Sequence, residues 1–156
     1  MHIYMKMDKI PGSATDKAHK DWIELEGFNL GVNCPSPMIS GKMADRQFSL
    51  PEFIEPTFTK KIDKSSGGLF DHATSGKVIP QVTIAMTGND TDYLTYTLTN
   101  VIITSRNIEA HNGAGVIESG TLSYSKISET HTQAGANGKL SSPFTTGYNL
   151  EEAKKL

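Results

Sequence analysis

The sequence predicts a mainly β protein: a small antiparallel β-barrel of about seven or eight strands with one short α-helix on its side. Three observations predict it. The 156 residues include 16 Thr and 14 Ser, and many Thr alternate with Tyr, Ile, Val and Leu. That is the composition of pleated, half-buried strands. Turn residues separate the alternating runs, as antiparallel hairpins require. Only one segment, 65–75, carries helix punctuation. Strands without βαβ alternation favour a closed or nearly closed barrel over a layered α/β fold.

The elements follow in order. Ile3 to Asp8 alternates, with Ile3, Met5 and Met7 on one face. A polar connection, 11–20, opens with Pro-Gly-Ser. From Trp22 to Val32 the alternation changes phase: Ile23 and Leu25 give way to Phe28, Leu30 and Val32. A bulge at Glu26-Gly27 supplies the extra residue that such a change needs. Residues 33–51 hold Pro35, Pro37 and Gly41 but no evident element, so they read as one extended loop. Phe53 to Ile62 is a strand whose Pro56 demands an edge or a bulge. Ser65 or Ser66 would cap the helix, Leu69, Phe70 and Ala73 would form its apolar patch, and Gly76 would end it. Gly67 and Gly68 make this a weak helix that leans on tertiary contacts.

Val78 to Thr87 is a strand with Val82, Ile84 and Met86 on one face, turned by Gly88-Asn89-Asp90. Tyr93 to Ile108 is a long strand whose phase shifts near Asn100. Asn112-Gly113 is a hairpin turn signal. Val116 to Thr130 reads as one strand with Leu122 and Tyr124 inward. Residues 133–143 form a loop, Phe144 to Leu150 a last strand, and 151–156 a charged tail. The whole chain, 1–156, is a single domain.

Composition and motif content narrow the function. Lys plus Arg is 15 and Asp plus Glu is 17, a formal charge of −2, with no basic cluster. Nucleic-acid binding is not expected. No apolar run approaches the ~20 residues of a membrane helix. Cys34 stands alone, so no internal disulfide forms. The N-terminus shows no signal peptide, which predicts a cytoplasmic protein or one exported by another route. No phosphate loop, dinucleotide fingerprint or nucleophile elbow occurs.

Five histidines, His2, His19, His72, His111 and His131, lack metal-ligand spacing, so neither metal nor cofactor is expected. Cys34 with a distant histidine would make a hydrolase, but no cation or helix terminus is adjacent to activate the thiol. Asn89-Asp90-Thr91-Asp92 lacks the glycine and closing glutamate of a calcium loop and reads as a turn. Glu151 and Glu152 read as solvated tail, and His19 as part of a polar connection. The outward strand positions Thr83, Thr87, Thr95, Thr97, Thr99, Thr121, Ser123 and Ser125 carry hydroxyls rather than charges. A monomer usually guards such faces with charge, so this one suits packing against another subunit; the β-propensity of Thr explains it equally.

The order of motifs resembles one family. Ile3-Tyr4-Met5-Lys6, then Asp16-Lys17 with His19 and Trp22-Ile23-Glu24-Leu25, then Phe28-Asn29-Leu30-Gly31 is similar to the start of the haemolysin-coregulated protein (Hcp) family. Phe58-Thr59-Lys60-Lys61-Ile62-Asp63-Lys64-Ser65-Ser66, leading to Leu69 and Ser75-Gly76-Lys77, resembles its central stretch. The strands at Tyr93–Ser105 and Glu118–Tyr124 and the terminal Gly147-Tyr148-Asn149 fit too. The loop 33–51 departs by not being glycine-rich.

The resemblance implies the tube protein of a bacterial type VI secretion system. Hexameric rings would stack into a hollow tube, carry effectors, and leave the cell without a signal peptide. Implied partners are copies of itself, a contractile sheath, spike and baseplate proteins, and effectors. On that reading Asn29 faces the lumen, with a subunit interface as the alternative. Pro37, Met38, Lys42, Asp45 and Arg46 in the long loop would reach the next ring. The competing functions are a monomeric effector-binding adaptor and the Cys-His hydrolase.

Overall fold

A computed structural model describes residues 1–36, 38, 40–41, 49–135 and 138–156. Ten strands and one helix occur among them: β1 (His2–Met7), β2 (Ile23–Leu25), β3 (Gly27–Asn33), β4 (Glu52–Lys61), α1 (Ser66–Ser75), β5 (Ile79–Gly88), β6 (Thr91–His111), β7 (Gly115–Ser123), β8 (Lys126–His131), β9 (Phe144–Asn149) and β10 (Lys154–Lys155). The protein is mainly β with one helix, as expected. Every strand pair is antiparallel. One path runs β10-β9-β8-β6-β5-β1-β2, and a branch leaves β6 through β7 and β4 to β3.

The strand count exceeds the expected seven or eight because phase changes mark exchanges of partner. At Glu26 the chain leaves β1 and joins β4, so β2 and β3 are separate strands. The segment expected to run unbroken from Val116 to Thr130 divides at Tyr124-Ser125: β7 pairs with β4 and β6, and β8 with β6 and β9. The tail expected to be only charged contains β10, which folds back on β9.

β6 serves both branches. Thr99 is its last residue paired with β8, and Ile102 the first paired with β7. Between them Asn100 has φ 53°, and its amide donates to Ser125 Oγ at 3.3 Å. In β4, Pro56 sits where the register with β3 shifts, beyond the stretch that β7 covers. Its missing N–H therefore breaks no ladder bond on that side.

The core is built from Met5, Met7, Ile23, Leu25, Phe58, Leu69, Val82, Ile84, Leu98, Val101, Ile103 and Leu122. Phe28 and Leu30 pack against it as expected, but Val32 is 53% exposed, because β3 runs past the core. Met86 is only half-buried and Thr87, expected outside, is buried, since a register shift between them turns the strand over. The Thr87 hydroxyl donates to the Thr91 carbonyl at 3.0 Å.

Leu69 pins α1 to the core, while Phe70 faces outward under the Arg106 guanidinium, 5.4 Å from its centroid. Ser65 occupies the N-cap without making a side-chain cap; its hydroxyl donates to Asp63 instead. Gly76 ends the helix at φ 64°, its N–H donating to the His72 carbonyl at 3.0 Å. The connection 11–21 folds on itself: Gly12 N–H donates to the Asp21 carbonyl and Asp21 N–H to the Ala14 carbonyl. A Cβ on Gly12 would lie 2.2 Å from the Trp22 carbonyl oxygen, so only glycine fits that approach.

Candidate functional site

Two charged clusters are built into the fold. The first is buried. Lys60 points from β4 to the space beneath the start of α1, where its ammonium donates to Glu118 Oε2 on β7 at 2.9 Å and to the Lys61 carbonyl at 2.8 Å. Asp63 Oδ1 also lies 2.9 Å away. Ser66 donates to Glu118 Oε2 at 2.7 Å, and Arg106 Nε on β6 to Oε1 at 2.7 Å. Lys60 and Glu118 are fully buried, so their lone pairs and protons must be satisfied inside the protein, and they are. Burial pushes the Glu118 carboxyl up, but hydrogen bonds from Lys60, Ser66 and Arg106 outweigh it and hold the group below the usual carboxylate range. Asp63 behaves likewise, with burial opposed by Lys60 and Ser65. The central motif 58–66 and the strand at Glu118 therefore meet in one network. Sequence alone could not join them, because their contact depends on the β4–β7 pairing.

The second cluster fixes the connection 11–21 over β1. His19 is 3% exposed, with Nδ1 2.7 Å from Asp16 and Nε2 3.0 Å from Asp92 of β6. An imidazolium donates to both at once, whereas either neutral tautomer donates to one. The ring stacks on Tyr4 at 4.6 Å and meets Trp22 edge-on at 4.8 Å. His19 belongs to the polar connection, as expected, and within it is a buried structural clamp. Its cleft of about 910 Å³ is bordered by the Asn89-Asp90 turn, where φ of 50° and 57° give the primed geometry of a two-residue hairpin.

The expected site residues fall as follows. Asn29 is exposed on β3, opposite Thr57, at the rim of a hollow lined by Phe28, Leu30, Met86 and Tyr96. Met38 is 88% exposed. Pro37, Lys42, Asp45 and Arg46 lie outside the described residues. Of the hydroxyl face, Thr83, Thr95, Thr97, Thr99, Thr121, Ser123 and Ser125 are half-buried. Thr121 bonds Thr104 at 2.6 Å and Ser105 at 2.7 Å, and Thr130 bonds Thr145 at 2.9 Å, so neighbouring hydroxyls satisfy one another across strands. Cys34 is exposed, its thiol directed at the Ser49 carbonyl 3.6 Å away. Among the described residues, no three His, Cys, Asp or Glu side chains converge as metal ligands. No helix there is long and apolar enough to cross a membrane.

Residues 4–131 match the family described as Type VI secretion system effector, Hcp. The chain belongs to the Hcp family. Protein hcp1 of Pseudomonas aeruginosa is 27% identical over 156 residues, covering 96% of this chain and 95% of that protein. A solved structure of a type six secretion system protein superposes with a TM-score of 0.92 at 25% identity, covering 99% of both chains. The crystal structure of Hcp1 from Salmonella typhimurium gives 0.81 at 26% identity, covering 99% of this chain and 98% of that one. The likeness to solved Hcp structures thus extends through β9 and β10, beyond the matched 4–131.

Proposed function

We propose that this Hcp-family chain is the tube subunit of a type VI secretion system. Copies close into six-membered rings, rings stack into a hollow tube, and the tube carries effectors out of the cell. The observation that carries this reading is the family match, with one fold shared over essentially the whole chain. The function is geometric and breaks no bond, so no residue is assigned a catalytic role. The partners on this reading are further copies, the sheath, the spike and baseplate proteins, and effectors. The chain is made in the cytoplasm and leaves through the machine it builds.

On this reading the two branches of the sheet close into the expected barrel. β2 continues into β3 through Glu26, whose N–H donates to the Thr59 carbonyl of β4 at 2.8 Å. That bond links the β1–β2 end of one branch to the β3–β4 end of the other. Asn29 is the lumen residue: polar, uncharged and exposed, it suits weak contact with many cargoes. The loop 33–51, with Pro37, Met38, Lys42, Asp45 and Arg46, reaches toward the adjoining ring. Size-exclusion chromatography with light scattering and negative-stain microscopy tests the reading. Rings of about six subunits are expected; particles that stay single at every concentration overturn it.

A further inference from the structure

The β6–β7 hairpin runs on past its neighbours. β4 ends at Lys61, opposite Ile117 of β7, and β5 and β8 leave β6 at Val101 and Thr99. Among the described residues no other strand pairs with 108–111 or 115–116, and all of 107–116 is exposed. Asn112-Gly113-Ala114 forms the tip, bridged by the Ala114 N–H donating to the His111 carbonyl at 3.0 Å. Gly113 has φ 86° and Gly115 φ 85°, and a Cβ on either would meet nothing within 4 Å. The Asn112 side-chain amide and the Gly113 N–H make no hydrogen bond among the described residues.

This arrangement suits an intramolecular reaction. The carbonyl carbon of an asparagine side chain lies one five-membered ring closure from the next backbone nitrogen. Glycine at that next position puts no Cβ in the way and lets the backbone swing through the dihedrals that closure needs. Neither reacting group has a hydrogen bond to give up first. Other asparagines are held. Asn149 is buried and accepts from the N–H groups of Glu151 and Glu152 at 3.0 and 3.3 Å, and the Asn100 amide donates to Ser125. Asn29 and Asn107 are exposed, but each sits in a paired strand and is followed by leucine or isoleucine. The other Asn-Gly pair, 137–138, includes a residue outside the described set.

We propose that Asn112-Gly113 is a self-modifying site in the folded protein, where the asparagine deamidates through a cyclic imide. The Gly113 nitrogen loses its proton to solvent base and attacks Asn112 Cγ. The new C–N bond forms as the bond to the side-chain nitrogen breaks, and that nitrogen takes protons from water and leaves as ammonia. Water then opens the imide at either carbonyl, leaving aspartate or isoaspartate at position 112. The tip gains a negative charge beside Glu109, and isoaspartate adds a carbon to the backbone of the turn. The reaction needs no partner, so it stands apart from the ring reading.

The test holds the folded chain at physiological temperature and pH and follows tryptic peptides by mass spectrometry. Trypsin cuts after Arg106, Lys126 and Lys139, so Asn112 and Asn137 fall in different peptides, and fragmentation separates Asn112 from Asn107. A synthetic peptide spanning 107–116 serves as the unfolded reference. Exposed tips open at almost no cost, so the folded chain is expected to react at position 112 within about tenfold of the peptide's rate. A rate further below the peptide's overturns the proposal, because the fold then protects the site. Isoaspartate and aspartate are both expected; aspartate alone would mean direct hydrolysis and would rule out the imide. The rate is expected to rise with pH, since the attacking nitrogen must lose a proton, and a flat profile overturns the step. Asn112→Gln, whose closure would need a six-membered ring, is expected to remove both products and leave the urea midpoint unchanged. Isoaspartate that persists in the same peptide of that variant overturns the assignment to Asn112.

Discussion

At the scale of single residues, the Lys60–Glu118 pair has the most at stake. Its net worth is small, because desolvation offsets most of the attraction, but breaking it strands a buried charge. Lys60→Met is expected to cost about 3 kcal/mol in urea unfolding. Lys60→Met with Glu118→Leu is expected to recover part of that loss, a coupling of about 1–3 kcal/mol in the double-mutant cycle. The carboxylates also set an acid limit. The folded pKa values of Asp63 and Glu118 lie below their ordinary ones, so their stabilisation is complete above the ordinary range, near pH 4. It is lost as pH falls through the lowered values. The urea midpoint should stay level down to about pH 5 and then fall, and Glu118→Gln should flatten that fall. None of this network was legible beforehand. A lysine at an alternate strand position reads as solvent-facing, and its partner lies 58 residues away.

At the scale of elements, the places where alternation broke were visible, but what the breaks did was not. Gly27 and Asn100 both mark a strand passing from one set of neighbours to another. Period-2 patterning records which face a side chain takes and is silent about who lies alongside. The helix was legible from Leu69 and Gly76, while its cap was not, because Ser65 turned to Asp63. β10 was invisible, since two lysines carry no apolar signal and the return depends on the buried Asn149 amide. The connection 11–21 offers an element-level prediction. Gly12→Ala drives a methyl into the backbone at Trp22, so the segment must lift from β2 and strain the His19 clamp. A loss of about 2 kcal/mol is expected by thermal or urea unfolding, with faster hydrogen exchange at Asp21.

At the scale of the whole molecule, family membership was legible because the motifs share one order along the chain, although each motif alone is weak. Asn29 carries the prediction at this scale. Asn29→Arg should leave ring mass unchanged in light scattering and reduce the amount of effector that co-purifies; loss of rings would instead make Asn29 an interface residue. The length of β6 has a mechanical consequence. Its 21 residues, about 70 Å of strand, serve one branch with their first half and the other with their second. A load on β8 therefore crosses one ladder of hydrogen bonds into β6, runs along its covalent backbone, and crosses a second ladder into β7. Asn100, with φ 53°, and the register shift between Ile103 and Ser105 are irregular points on that line, so bending under load is expected there first.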